Sequence, residues 1–255
     1  MKNNIILIFL AVSLGSIGQK VTLNEKSGQI KRSVVKNKKS VNLSSLDTLV
    51  NNKKTLITSN KIIDADGNIY TSVIIGVQEW MSENLITTKY ADGTPIPNIT
   101  DSNQWSNLTT GAWSYYDNNS QNDITYGKLY NWHAVSDLRN VCPSGWHVPT
   151  DAEWTVLNDF LAVNGHKGKE GTTLKSTTGW SRNNGTDDYG WFGLPGGYRN
   201  NDGVFYFIAN VGSWWSSSEG KANNSWYRLL NYNNDKVYRN RFSMRNGFSV
   251  RCLRD

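Results

Sequence analysis

The side chains that most often carry catalysis are few in this chain, and their spacing is unfavourable. The three histidines, His133, His147 and His166, form none of the His-x-His or His-x-x-x-His spacings that bind zinc, and no Cys-x-x-Cys pair is present. The serines of 213–218 lack the Gly-x-Ser-x-Gly turn of a nucleophilic serine. We therefore predict that the protein is not an enzyme.

Three carboxylates leave an enzymatic alternative open. Asp187 and Asp188 are adjacent, and Glu219 follows a run of serines. A pair of carboxylates can act as acid and base on a glycosidic bond. The residues around Asp187 have the Asn- and Gly-rich composition of a surface loop. An enzyme acting on a polysaccharide is therefore the least favoured of three functional hypotheses.

The residues from 223 to 241 are suited to binding rather than to reaction. Their tyrosine and tryptophan rings give large rigid contacts at low entropic cost, and their asparagines and arginines supply hydrogen bonds. Aromatic faces beside amide donors suit a sugar ring. The alternative is a core strand with asparagine turns. The residues expected to contact a ligand are Trp226, Tyr227, Arg228, Asn231, Tyr232, Tyr238, Arg239 and Arg241.

A weak calcium motif lies near the start of the aromatic region. Asp64, Asp66 and Asn68 alternate as at the start of a calcium loop, but Ile75 occupies the twelfth position, where a glutamate is needed. The dipeptide of Asp66 and Gly67 also predicts a hairpin turn, because glycine accepts the positive φ of such a turn. We expect the turn and no cofactor, with calcium as the alternative.

Residues 1–18 have the features of a cleavable secretory signal peptide. Lys2 gives a positive start, an apolar run covers 5–17, and the small residues Ser16 and Gly18 occupy the −3 and −1 positions of a cleavage site. The run is too short to cross a bilayer core of about 30 Å. We expect a secreted, periplasmic or cell-surface protein with no stable membrane span after cleavage.

The chain contains two cysteines, Cys142 and Cys252. In an exported protein an even pair most simply forms one disulfide. Two free thiols are the alternative.

The positive charge is concentrated at the N-terminus. Residues 1–60 hold 10 Lys/Arg and 2 Asp/Glu, whereas residues 61–255 hold 17 and 19. Residues 19–60 contain no aromatic residue, proline or cysteine, so they predict a flexible basic linker, with contact to an anionic cell envelope as the alternative. The domain itself is slightly acidic, and we expect no nucleic-acid partner.

Residues 61–255 predict one α+β domain. Helical periodicity covers 128–138, and a capping box from Thr150 to Glu153 begins a second helix that ends at 164–165. A long irregular loop is expected over 86–125. The strand patterns cover 63–70 and 73–81, each with a turn, and 189–194, 204–208, 212–217, 225–232 and 247–253.

Seven sequence blocks occur in the order found in the Fibrobacter succinogenes major paralogous domain, so residues from about 62 to 255 resemble this family, most of whose members are of unknown function. The blocks are 66–70, 80–85, 126–132, 142–154, 190–199, 214–219 and 247–252. The resemblance implies that most of the tryptophans in these blocks belong to the scaffold. Those expected in the core are Trp146, Trp154, Trp191, Trp214 and Trp215.

Two of the blocks, 148–154 and 247–251, are also similar to the formylglycine-generating-enzyme branch of the C-type-lectin-like fold. This resemblance implies two helices, small twisted antiparallel sheets and long irregular loops. The copper-binding cysteine pair of that enzyme has no counterpart here, and the Glu-Pro-Asn and Trp-Asn-Asp calcium–sugar motifs of C-type lectins are absent. The resemblance favours a binding role rather than the enzyme's activity.

These features together predict an exported, non-catalytic module that recognises a glycan or a protein at the cell surface or outside the cell. A structural component of the cell surface that binds no small ligand is the alternative. The oligomeric state is left open by the sequence.

Overall fold

The structure is a computed structural model that describes residues 61–255 and one short strand pair nearer the N-terminus. That pair, β1 (Glu25–Lys26) and β2 (Gln29–Ile30), is antiparallel. The predicted signal peptide, 1–18, lies outside the described residues. The same holds for the predicted linker, 19–60, apart from the strand pair.

The domain of residues 61–255 contains two main sheets. Its strands are β3 (Ile62–Ile63), β4 (Ile69–Tyr70), β5 (Ser72–Ile75), β6 (Gln78–Met81), β7 (Trp113–Ser114), β8 (Leu129–Tyr130), β9 (Trp146–His147), β10 (Gly196–Arg199), β11 (Phe205–Ile208), β12 (Val211–Glu219), β13 (Asn224–Asn231), β14 (Tyr238–Ser243) and β15 (Leu253–Arg254). The five-stranded sheet has the order β11-β10-β12-β13-β14, and the four-stranded sheet has the order β5-β6-β15-β9. Within the larger sheet only β10 and β12 are parallel.

One helix is long and the others are single turns. The helices are α1 (Ser102–Ser106), α2 (Gln121–Tyr126), α3 (Trp132–Val135), α4 (Asp151–Leu161) and α5 (Glu170–Leu174). The predicted capping box of α4 is confirmed, because the Thr150 side chain accepts from the Glu153 backbone N and the Glu153 side chain accepts from the Thr150 backbone N at 2.7 Å. In the part of the chain from 61 to 255, no helix is long and apolar enough to cross a membrane.

The prediction of one helix over 128–138 is wrong. Leu129–Tyr130 is a strand, and only Trp132–Val135 is helical. The Tyr130 backbone N and O both bond to Phe248, at 2.8 and 3.0 Å. This long-range pairing outweighs the local helical periodicity. The periodicity of a short segment does not show whether a distant segment will pair with it.

The predicted strands are confirmed in part. The predictions at 204–208, 212–217 and 225–232 match β11, β12 and β13. No strand forms over 189–194. Of the last predicted strand, 247–253, only Leu253 lies in a regular strand, β15, because residues before it make isolated bridges. The sequence missed β10 and β14, and it also missed the short helices α1, α2 and α5.

The core lies on both faces of the five-stranded sheet. One apolar cluster joins the sheet to α4 and contains three tryptophan rings in tilted and edge-to-face contact, Trp80, Trp154 and Trp191. The other contains Tyr130, Trp215 and Phe248. The predicted core tryptophans are all buried: the least buried of Trp146, Trp154, Trp191, Trp214 and Trp215 is 4% exposed.

Three buried cations fix the irregular segments of the domain. Lys175, Arg199 and Arg251 donate to backbone carbonyl oxygens, and no acidic side chain within 61–255 forms an ion pair with them. Burial lowers the pKa of Arg199 to about 10 and that of Arg251 to about 9. Arg251 also donates to Asn84 Oδ1 at 2.6 Å. These hydrogen bonds connect the loops at Asn183, Thr100 and Phe192 to buried side chains and satisfy their carbonyl oxygens.

Candidate functional site

The residues predicted to bind a ligand form the hairpin of β13 and β14, where the alternation of side chains divides them between two faces. Cross-strand partners lie on the same face of a sheet. Trp226 is opposite Arg241 and Arg228 is opposite Arg239, which places these four on one face. The others lie on the opposite face or beyond the end of β13.

On the first face, the charged residues pack against the start of α4. Asp151 accepts from Arg228 Nη1 at 2.8 Å and from Arg239 Nη2 at 2.7 Å. The guanidinium carbons of Arg239 and Arg241 lie 3.8 and 4.8 Å from the centre of the Trp226 ring. Two guanidinium groups therefore occupy the surroundings of this tryptophan, which leaves less of its ring for a ligand.

The pKa values on this face reflect burial and pairing. Burial raises the pKa of Asp151, but the hydrogen bonds from Arg239 and Arg228 outweigh it and hold the pKa below its usual value. Burial lowers the pKa of Arg228, whose side chain is 3% exposed. Arg228 therefore connects the sheet to α4 and has almost no surface to offer a ligand.

The opposite face of the sheet carries a cleft of about 230 Å³. Three of the predicted residues line it: Tyr227, Asn231 and Tyr232. Tyr238 is opposite the lining residue Leu229 but does not line the cleft itself. The structure thus assigns the eight predicted residues to two separate environments, and three of them share a concave surface.

The walls of the cleft are aromatic. The Tyr227 ring centre lies 4.7 Å from that of Phe248 and 6.1 Å from that of Phe242. The Tyr198 ring is perpendicular to Phe248 at 5.7 Å and lies 5.9 Å from Phe207. Phe207 and Phe242 are 53% and 37% exposed, so these two rings are open to solvent at the rim while Tyr227 and Phe248 are buried.

An unusual backbone conformation positions Phe207. Its φ is +63°, and Gly197, at the facing position of β10, has a φ of +65°. Consecutive residues of a regular strand point to opposite faces, yet the Phe207 and Tyr206 rings are 6.0 Å apart and both lie 5.9 Å from Tyr198. The left-handed conformation therefore brings Phe207 to the cleft.

The polar groups of the cleft are few and uncharged. The amides of Asn210 and Asn231 and the hydroxyl of Ser213 line it, and no Asp, Glu, Lys, Arg or His does. Burial, together with the neighbouring Tyr198, raises the pKa of Tyr227 to about 12. The phenol is therefore neutral at physiological pH. A few polar groups on an apolar concave surface are typical of small-ligand sites.

The calcium candidates Asp64, Asp66 and Asn68 are engaged in hydrogen bonds within the protein. Asp64 Oδ2 accepts from Tyr70 Oη at 2.6 Å and from Asn68 Nδ2 at 2.8 Å. Asp66 Oδ1 lies 3.1 Å from Lys89 Nζ. The predicted turn is confirmed, with Gly67 at a φ of +86°. Among residues 61–255, no group of three His, Cys, Asp or Glu side chains is arranged to hold a metal ion.

The carboxylates of the enzymatic hypothesis line neither this cleft nor the second one described below. Burial raises the pKa of Asp187, and its Oδ1 accepts from a backbone N. Asp188 Oδ2 lies 3.6 Å from His166 Nδ1, and Thr173 Oγ1 lies 2.9 Å from the same nitrogen. In a catalytic acid–base relay, the two ring nitrogens of the histidine have different partners. Here Asp188 and Thr173 both lie at the same nitrogen of His166, so the three residues do not form such a relay. Glu219 is exposed at the end of β12.

A second cleft, of about 290 Å³, is highly polar and includes Glu79, Glu153 and Asp255. His147 lies beside it, with Nε2 3.1 Å from Glu153 and Nδ1 2.7 Å from Asp255. Burial raises the pKa of Glu153, but hydrogen bonds from Thr150 and His147 outweigh it and lower the pKa. Glu79 in turn pairs with Arg254 at 3.2 Å. The polar groups of this cleft are thus already paired with one another.

The predicted disulfide between Cys142 and Cys252 is confirmed, with Cα atoms 6.0 Å apart. It lies in the apolar cluster that contains Phe248. The bond therefore connects the segment before α4 to the last strand. Cys252 lies close in sequence to Phe248, which forms one wall of the cleft.

Sequence reasoning missed eight residues that line the cleft: Tyr198, Phe207, Asn210, Val211, Ser213, Leu229, Phe242 and Phe248. Tyr198 and Phe248 lie in the sequence blocks 190–199 and 247–252. These blocks indicated the family resemblance but gave no sign that the two residues contact a ligand. Alternation along β12 would have placed Ser213 on the same face as Trp215, since the two are separated by one residue. No sequence pattern indicated the backbone conformation that orients Phe207.

A family model described as Fibrobacter succinogenes major domain matches residues 73–254, which is more than two thirds of the chain. No curated protein and no solved structure matches the chain.

Proposed function

The chain belongs to the Fibrobacter succinogenes major domain family, and from the cleft that this domain carries we propose that it is a non-catalytic module that binds a glycan. The family description states no reaction, so the proposal depends on the geometry of the site. The observation that carries it is the aromatic cleft on the five-stranded sheet, with uncharged polar groups among its walls.

The chemistry of the cleft suits a sugar better than other small ligands. A sugar ring has an apolar C–H face and a rim of hydroxyls, so it can stack on Phe207 and Phe242 while its hydroxyls bond to Asn210 and Asn231. Aromatic rings bind at low entropic cost because they have only two χ angles. The absence of charged side chains from the lining favours an uncharged ligand.

Export of the protein is part of the proposal. The N-terminal sequence has the pattern of a signal peptide, and the disulfide between Cys142 and Cys252 suits an oxidising compartment. A secreted, periplasmic or cell-surface location would give the cleft access to glycans. The net charge of −2 over 61–255 gives no support to a nucleic-acid partner.

We also propose that the domain is a C-type-lectin-like variant. Its mixture of sheets, short helices and long ordered connections supports this assignment, as does the similarity of the blocks at 148–154 and 247–251. The α+β class itself follows from the two main sheets and the five α-helices of residues 61–255.

An assembly role at the cell surface is the second candidate, and one observation favours it. The edge strand β14 has five exposed residues among its six, and no further strand of the described domain pairs with its outer side. An open edge can accept a strand from a partner. The positive charges of Arg239 and Arg241 oppose pairing of this edge with a second copy of itself.

The test is binding of the purified full chain to an array of bacterial and plant glycans, with calcium and with a chelator. The key variant is Phe207→Ala. Its matched control is Phe192→Ala, because Phe192 is 51% exposed, also has a positive φ of +50°, and does not line the cleft. We expect a saturable signal that Phe207→Ala abolishes and Phe192→Ala preserves.

Other results would change the assignment. A signal that both variants retain would remove the cleft from consideration and redirect attention to the face of Trp226. Loss of the signal in chelator would implicate Asp64 and Asp66. A blank array would favour the assembly role, which a pull-down from cell-envelope fractions would then examine.

A further inference from the structure

The cleft contains one buried polar group that has no partner. Ser213 is 1% exposed, lines the cleft, and its Oγ makes no hydrogen bond to any of the residues from 61 to 255. It is the third residue of β12 and lies opposite the lining residue Leu229. The hydroxyl is therefore at the inner end of the cleft rather than at its rim.

An unpartnered hydroxyl at this position is unfavourable for the free protein. Burying a polar group without a hydrogen bond costs about as much free energy as a lost hydrogen bond, and an alanine would avoid that cost. Buried polar groups in proteins are nearly always satisfied. A ligand that brings its own hydroxyl would satisfy Ser213 Oγ, because a serine hydroxyl can both donate and accept.

We propose that Ser213 recognises a hydroxyl of a single uncharged sugar unit inserted into the cleft, which makes Ser213 a specificity-determining residue. This inference rests on the proposed glycan-binding function. The volume of about 230 Å³ is below the range of about 300–1,000 Å³ of larger ligand sites. The cleft therefore has room for one ring, such as the end of a chain or a branch.

The same surroundings select against acidic sugars. A uronic acid or a sulfated sugar would bring a negative charge to a cleft with no lysine, arginine or histidine in its lining. The nearest guanidinium groups of the hairpin, those of Arg228, Arg239 and Arg241, lie on the other face of the sheet. An anion would lose its hydration without gaining a counter-charge.

The experiment measures the affinity of the full chain by calorimetric titration. The probes are the methyl glycosides of glucose, galactose, mannose and xylose, with glucuronic and galacturonic acid as the charged counterparts. The variant is Ser213→Ala. The matched control is Ser225→Ala, because Ser225 is also fully buried with an unpartnered Oγ, lies on the neighbouring strand, and does not line the cleft.

We expect Ser213→Ala to weaken binding of the preferred neutral glycoside five- to tenfold, as for the loss of one neutral hydrogen bond. The same variant should leave the melting temperature unchanged or slightly raised, since it removes an unsatisfied group. Ser225→Ala should leave the affinity unchanged. The uronic acids should bind at least tenfold more weakly than the neutral glycosides.

Three results would overturn the inference. Equal affinity of Ser213→Ala and the wild-type protein for a neutral glycoside would remove the role of Ser213 while preserving glycan binding. Stronger binding of the uronic acids would refute the selection against charge. A wild-type protein that binds none of these sugars, and no glycan of the array, would refute the proposed function together with the inference.

Discussion

Replacing Asp151 by asparagine should destabilise the domain strongly, because it leaves a buried guanidinium without a counter-charge. Asp151 Oδ1 lies 2.8 Å from Arg228 Nη1, and the Arg228 side chain is 3% exposed. Arg228 Nη2 also donates to the Asp151 backbone O at 3.0 Å. The substitution keeps the size of the side chain and one acceptor oxygen, so it removes the charge with little change in packing.

The magnitude follows from the burial of the pair. Removing one partner of a buried ion pair costs about 3–5 kcal/mol, and the retained acceptor places Asp151→Asn near the lower limit. The loss of a negative charge in the first turn of α4 adds about 0.3–1 kcal/mol. At about 2–4 °C per kcal/mol for a domain of this size, the sum of about 3–4 kcal/mol lowers the melting temperature by about 6–16 °C.

The assay is thermal unfolding followed by circular dichroism, with Arg239→Gln as the control. Arg239 pairs with the same carboxylate, but its side chain is 50% exposed, so its removal should cost about 0–1 kcal/mol. If Asp151→Asn lowers the melting temperature no more than Arg239→Gln does, the buried pair does not stabilise the fold.

The acid dependence gives a second readout of the same pair. The pKa of Asp151 is below its usual value of 3.8 in the folded protein, so its stabilising effect is complete above that pH and is lost as the pH falls through the folded pKa. The difference in melting temperature between wild type and Asp151→Asn should therefore be full above about pH 5 and should shrink below it. A difference that is constant with pH would contradict the electrostatic explanation.

Three further predictions concern the scaffold of the cleft. Replacing both Cys142 and Cys252 by alanine should lower the free energy of unfolding by up to about 4–5 kcal/mol in urea titrations, because the disulfide spans 110 residues; unreduced wild-type protein should take up no thiol label, and labelling would contradict the bond. Arg251→Met should cost about 1–3 kcal/mol for each buried acceptor that it leaves unpaired, and Arg251→Lys should not restore stability, because lysine lacks the planar set of donors. Full stability of the lysine variant would show that charge alone is required. Gly197→Ala should destabilise the domain and also abolish glycan binding, since a Cβ there would lie 2.6 Å from the carbonyl oxygen of the neighbouring strand. Gly67→Ala is its control, with a similar positive φ and no atom within 4 Å, and should cost only the backbone strain of about 1–2 kcal/mol.

Local sequence signals predicted those elements whose structure depends on neighbouring residues. The capping box of Thr150 and Glu153 begins α4 because its hydrogen bonds close within one turn. The turn at Gly67 forms because glycine accepts a positive φ wherever the turn occurs. The same reasoning failed for 128–138, where pairing of Tyr130 with the distant Phe248 decides the conformation.

The candidate site was predicted only in part, for the same physical reason. Composition identified the stretch from 223 to 241 as aromatic and amide-rich, and three of the eight residues predicted from it line the cleft. Composition gave no information on strand register, and a strand presents alternate residues to opposite faces. Arg228 and Tyr227 are adjacent in sequence, yet one pairs with Asp151 and the other forms a wall of the cleft.

By itself, the sequence determined the family and the α+β class, and it predicted the burial of five tryptophans and, with two free thiols as the alternative, the pairing of the two cysteines. These properties depend on residue types, their order and their number. The tertiary structure alone decided which side chains share a surface. Tyr198, Phe207 and Phe248 meet in the cleft only because the register of β10, β11 and β12 and the left-handed conformation of Phe207 bring them together. Those contacts join distant parts of the chain, so no local pattern specifies them.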